Sequence, residues 1–142
     1  MTGIRLSVAG HQFSARLEEA TAPATCAAFR TLLPLRGKLL QARWSGQALW
    51  LPLNGLQLPA GPENVKHRPE PGEILFYPGG ESDPEILIPY GVTAFAARCG
   101  PLSGNHFLTL ELDAATLLEF GRRVWFDGAV EAVFEQVTSG TS

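Results

Sequence analysis

The stretch Ile4-Arg5-Leu6-Ser7-Val8-Ala9-Gly10-His11-Gln12-Phe13-Ser14-Ala15-Arg16-Leu17-Glu18 decides the fold class. Ile4, Leu6 and Val8 alternate with Arg5 and Ser7, and Phe13, Ala15 and Leu17 alternate with Ser14, Arg16 and Glu18. Alternation puts the apolar side chains on one face of an extended strand. The break at Gly10-His11 suits a tight turn, so the chain opens with a β-hairpin. Strands of this kind recur to the other end. Lys38 to Trp44 and Gln47 to Leu53 read as a hairpin around Ser45-Gly46, Glu73 to Tyr77 and Glu85 to Pro89 as a strand pair, and Phe107 to Leu112 as a further strand. Arg123 to Phe126 and Ala129 to Val137 read as a last hairpin on Asp127-Gly128.

Only two helices fit between them. Thr21 can cap a helix over 22–33 that tolerates Pro23 in its first turn, buries Cys26, Phe29 and Leu33, and stops at Pro34. Asp113 caps a second, over 114–120, that Gly121 ends. Two helices among so many strands leave no room for alternating β and α units. A closed, mostly antiparallel barrel, with the helices over its ends, buries the sheet faces and leaves no long edge. Residues 54–72 carry too many prolines and glycines for a strand or helix, and so long a connection usually serves a site as a lid or wall.

Composition narrows the function. With 142 residues, the chain is read as a single domain over 1–142 with a frayed tail at 138–142. It has 45% hydrophobic and 18% charged residues, which is an ordinary globular balance. The 15 glycines and 11 prolines, without a period, agree with many short elements. A net charge of −3 suggests no nucleic-acid surface. No apolar run is long enough to span a bilayer, and the opening residues lack the apolar core of a secretory signal, so the expected address is the cytoplasm. Cys26 and Cys99 have no CxxC partner and read as free thiols. His11, His67 and His106 stand too far apart for ligand spacing, so no metal and no cofactor is expected.

Several phrases in order resemble a bacterial cyclophilin-like family of unknown function. They are Arg43-Trp44-Ser45-Gly46-Gln47-Ala48, Pro71-Gly72-Glu73-Ile74-Leu75-Phe76-Tyr77-Pro78-Gly79-Gly80, Glu85-Ile86-Leu87-Ile88-Pro89-Tyr90-Gly91, Gly104-Asn105-His106-Phe107 and Val124-Trp125-Phe126-Asp127-Gly128-Ala129. The resemblance covers nearly the whole chain and implies a cyclophilin-like β-barrel of about eight strands with two short capping helices. It implies no established activity. True cyclophilins isomerise X-Pro bonds with a strand arginine inside Phe-His-Arg-Val-Ile-Pro-Gly-Phe. The nearest stretch here, Leu40-Gln41-Ala42-Arg43-Trp44-Ser45-Gly46-Gln47, keeps an arginine and a glycine turn without the rest of that phrase.

The side chains suited to a site are aromatic and polar groups near strand ends. Trp44 and Trp50 flank one turn, Tyr77 and Tyr90 end the next strands, and Asn105-His106 follow a Gly-rich loop. Flat rings with polar handles line barrel mouths. Trp125 and Phe126 suit core packing better. Ser45 and Ser103 lack the elbow that exposes a nucleophile, and Ser45 reads as a turn former. No catalytic residue is assigned. The expected ligand site is Arg43, Trp44, Gln47, Tyr77, Tyr90, Asn105 and His106, with Arg98 as an alternative cation and the 54–72 segment, through Glu63-Asn64, covering it. Such a site lies on the rim or side of a barrel whose centre side chains fill. This points to a small-molecule or peptide binding module, an accessory protein of bacterial metabolism without catalysis of its own. The alternatives are a divergent peptidyl-prolyl isomerase and a non-catalytic subunit docking on a partner enzyme. An edge strand or the 54–72 segment would serve a homo-oligomer.

Overall fold

The computed structural model describes residues 2–56 and 60–138. The expected frayed tail therefore lies outside the described residues apart from Thr138. The opening hairpin is present as β1 (Thr2–Val8) and β2 (His11–Leu17). Its turn falls on Ala9-Gly10, one residue earlier than the sequence suggests, because Val8 pairs directly with His11. Both turn residues have positive φ, 49° and 81°, which matches the twist of the flanking strands.

After α1 (Pro23–Arg30) come β3 (Leu35–Gln41), β4 (Gly46–Pro52), β5 (Val65–Lys66), β6 (Glu73–Tyr77) and β7 (Glu85–Thr93). Then follow β8 (Ala96–Ala97), β9 (Gly100–Pro101), β10 (Gly104–Leu110), α2 (Ala114–Asp127) and β11 (Val130–Thr138). Neighbours around the main sheet run β2-β1-β11-β3-β4-β7-β6-β10, and β2 pairs again with β10. Eight strands thus close into a barrel, while β5 adds to the free end of β10. Every pairing among the described residues is antiparallel, and the short β8–β9 pair lies apart from the barrel sheet.

The barrel is filled, not hollow. Ile4, Leu6, Leu49, Leu51, Ile74, Phe76, Ile86, Ile88, Phe107 and Phe134 join one core with Cys26 and Phe29 of α1 and Leu117, Phe120 and Val124 of α2. The Phe29 ring meets Phe107 at 4.9 Å and Phe134 at 5.7 Å, both edge to face. A second, smaller core forms on the opposite face of β4, β6 and β7. There Ala48, Leu75, Tyr77 and Leu87 are covered by Phe95 and Leu102 from the segment after β7. Residues 85–90 are buried throughout because both faces of β7 are covered.

Five local expectations give way to tertiary contacts. Helix α2 does not end at Gly121: it runs to Asp127, so Arg123 to Phe126 are helical and no hairpin forms on Asp127-Gly128. Gly121 lies where a β-carbon would overlap the Tyr90 ring, so it lets helix and barrel approach closely. Gly128, at φ 94°, closes the helix instead. Trp125 and Phe126 consequently stand exposed on α2, at 59% and 82%, whereas Tyr77 and Tyr90 are buried. Arg43 and Trp44 lie in the β3–β4 connection, since the strand stops at Gln41, whose amide donates to the carbonyls of Ala42 and Gly46. Finally, Asn105 and His106 belong to β10 itself, and Thr21 does not cap α1.

Candidate functional site

The cap that Thr21 does not supply comes from Glu63. Its carboxylate accepts from the amides of Thr25 (2.8 Å) and Ala24 (3.1 Å) and from the Thr25 hydroxyl (2.8 Å). These donors, the Thr25 amide first, lower the Glu63 pKa. Thr21 instead accepts from the Asn64 amide. Through Glu63-Asn64 the long connection does cover Asn105 and His106, as expected, and it satisfies them. The Asn105 amide donates to Gly61 O and Thr25 Oγ1, and its oxygen accepts from the Glu63 amide.

His106 is held as firmly. Thr109 donates its one hydroxyl proton to Glu18 at 2.7 Å, so it accepts from His106 Nε2–H at 2.7 Å. That leaves Nδ1 as acceptor for the Asn64 amide at 3.3 Å. The ring is therefore neutral, and burial, with Lys66 nearby, keeps its pKa below the ordinary value. Every polar atom of Asn105 and His106 is engaged, so this cluster joins the strap to the barrel and offers no free group to a ligand.

The open site lies elsewhere, on the outer side of the barrel wall above the smaller core. A pocket of about 160 Å³ is lined by Arg43, Trp44, Trp50, Asp83, Glu85 and Arg98, with Ser82, Ser45 and three alanines between them. Three connections build it. Ser45 staples the β3–β4 connection to the segment after β7, its hydroxyl donating to Ala96 O (3.1 Å) and accepting from Ala96 N (3.0 Å). That contact sets Arg43 and Trp44 against Arg98. The β6–β7 connection is held by Tyr77, whose hydroxyl accepts from the amides of Glu81 and Ser82 and so positions Asp83. Trp50 of β4 and Glu85, the first residue of β7, form the wall.

The charges in this pocket are unusual. The ion pairs among the described residues join Arg5 to Glu135, Arg16 to Glu18, Arg30 to Glu19 and Lys66 to Glu73, so Arg43 and Arg98 take part in none. Glu85 is 8% exposed. Burial first, and Asp83 second, push its carboxyl up to about 7. Among the described residues no group of three or more His, Cys, Asp or Glu side chains is placed to hold a metal ion.

Of the residues expected in a ligand site, Arg43 and Trp44 line this pocket, and so does the alternative cation Arg98. Tyr77 supports it from beneath. Gln47 accepts from the Val92 amide, Tyr90 donates to Gln41 from within the main core, and Asn105 and His106 lie under the strap, so these four do not line it. Trp50, Asp83 and Glu85 complete the lining. A glutamate opening an otherwise apolar run, Glu85-Ile86-Leu87-Ile88, was the available signal for the last of these.

Fold and pocket together define a closed antiparallel β-barrel with a charged, tryptophan-walled pocket on its outer side. The chain belongs to the DUF3830 family of proteins of unknown function, whose profile matches residues 4–136. Among solved structures it is similar to McbB in complex with tryptophan, with a TM-score of 0.71 and 18% identity. That match covers 98% of this chain and only 45% of McbB. It is also similar to the hypothetical protein AF2241 from Archaeoglobus fulgidus, with a TM-score of 0.61, 19% identity and 94% and 93% of the two chains covered. At these identities the likeness is one of fold. No curated protein matches the chain by sequence. No helix among the described residues is long and apolar enough to cross a membrane.

Proposed function

We propose that this chain is a single-domain, cyclophilin-type barrel that binds a small organic acid with a flat apolar portion in its outer pocket. One observation carries the reading: Arg43 and Arg98, free of ion pairs among the described residues, converge with Trp44 and Trp50 on the same cavity. A guanidinium without a carboxylate partner favours an anionic ligand, and an indole face favours a flat one. McbB, the longer neighbour of similar fold, was solved with tryptophan, which is both an acid and a flat ring. The pocket's place outside a filled barrel agrees with a ligand bound on the side of the fold.

A thermal-shift panel of small aromatic carboxylates and cyclic amides tests the proposal. Aromatic carboxylates should raise Tm, and Arg43→Ala or Arg98→Ala should reduce the shift. A shift that survives both replacements together would remove this pocket as the binding site. The same protein should be assayed on a short X-Pro peptide, where acceleration lost in Arg43→Ala would reassign the pocket to a prolyl isomerase.

A further inference from the structure

We infer that the ligand of the outer pocket is a zwitterion, its carboxylate at Arg43 and Arg98, its flat body against Trp44 and Trp50, and its protonated amine at Glu85 and Asp83. The inference rests on the pocket being the binding site and adds the class of molecule it takes. Two cations and two carboxylates line one cavity without pairing to each other. The charged groups that line the pocket with Glu85 are Asp83 from the β6–β7 connection, Arg43 from the β3–β4 connection and Arg98 from the turn after β8. A guanidinium close to Glu85 would pull its pKa down. Instead burial and Asp83 push it up to about 7, and neither arginine counteracts them. Among the described residues neither arginine comes within ion-pair distance of Glu85 or Asp83, so the positive and negative groups of the pocket stand apart, with the indoles among the lining.

Glu85 supplies a second, independent sign of a ligand. Its side chain is buried to all but 8%, faces the cavity, and receives no hydrogen bond from the described residues. Its oxygens meet only the pocket, since among the described residues no buried side-chain oxygen is left without a partner, and a mostly buried carboxyl whose one opening is a cavity beside another carboxylate favours a cationic occupant. An ammonium group is such an occupant, bringing opposite charge and up to three N–H donors. Binding of the amine draws Glu85 into its ionised form, so a proton leaves the Glu85 carboxyl for solvent near neutral pH.

The probes are L-phenylalanine, N-acetyl-L-phenylalanine, which lacks the ammonium, and phenethylamine, which lacks the carboxylate. Titration calorimetry at about pH 7 should show phenylalanine binding about tenfold or more tighter than either analogue. Repeating it in buffers of different ionisation heat should show proton release on binding phenylalanine. Glu85→Gln should lower phenylalanine affinity about tenfold and remove the proton release, so that phenylalanine loses its advantage over N-acetyl-phenylalanine. Asp83→Asn serves as a second variant and should weaken phenylalanine in the same direction. If N-acetyl-phenylalanine binds as tightly as phenylalanine, the zwitterion inference falls while the pocket reading stands. If no probe binds at millimolar concentration, both fall.

Discussion

The strap cluster around His106 and the pocket around Glu85 are built from similar materials and end in opposite states. Each gathers acids, bases and polar side chains beside a covered part of the barrel. Around His106 every donor meets an acceptor, with Nε2–H donating to the Thr109 oxygen and the Thr109 hydroxyl donating to Glu18. Around Glu85, among the described residues, the arginines form no ion pair and the carboxyl accepts no hydrogen bond. A satisfied polar network rigidifies its surroundings, whereas an unsatisfied one retains binding capacity. The histidine is the residue that draws the eye in the sequence. The charges left without partners among the described residues lie in the outer pocket instead.

If that contrast is right, damage to the closed side lowers stability and damage to the open side does not. The largest effect is expected at Phe29, which lies under the closed side against Phe107. Phe29→Ala should cost about 3–5 kcal/mol in a denaturant melt. A loss under about 1 kcal/mol would mean that α1 is not part of the barrel's core.

Glu85→Gln should do the reverse at alkaline pH. A carboxyl whose folded pKa is about 7, against an ordinary 4.5, is protonated in the folded state while the unfolded chain is already ionised. It therefore favours folding below about 4.5 relative to its charged form, and stability falls as pH rises between those values. Removing the charge should raise stability at about pH 8 by on the order of 3 kcal/mol and change little at about pH 4, both read by urea unfolding. Equal effects at the two pH values would show that Glu85 is not desolvated.

Asn105→Ala comes next, at about 2 kcal/mol of destabilisation, because it strands the partners of a buried side chain that makes three hydrogen bonds. His106 should sharpen the comparison through its pH sign. Its folded pKa is depressed below 6.5, so stability is complete above that value and declines as pH falls through the folded pKa. His106→Gln should flatten this acid limb, the opposite direction to the Glu85 slope. The smallest stability change is expected for Trp44→Ala, within about 0.5 kcal/mol, because the ring is 54% exposed. The same variant should nevertheless lose the ligand-induced rise in Tm.

Much of the barrel was legible because strand periodicity is a local signal. The alternation of Ile4 to Leu17 and the apolar runs at 74–77 and 86–90 announce strands without reference to anything distant. The second helix was misjudged where one residue supports two meanings. Gly121 reads as a helix stop, and only the Tyr90 ring packed against it shows why a glycine stands mid-helix. The site was half legible. Arg43, Trp44 and the alternative cation Arg98 stand out in the sequence, yet Asp83 and Glu85 join them from distant parts of the chain.

By itself the sequence determined that strands dominate, where most of them fall, and that Phe29 enters the core. Those properties follow from spacing along the chain and from the dihedral limits of proline and glycine. Tertiary structure decided that Glu63 caps α1, that His106 is closed off, and that Trp125 faces solvent while Tyr90 is buried. It also brought Glu85 and Asp83 into one pocket with two arginines. The physical reason is that burial and pairing depend on what arrives from elsewhere in the chain. A carboxylate on a surface and a carboxylate buried in a pocket wall are the same letter, and only the closed barrel makes them different groups.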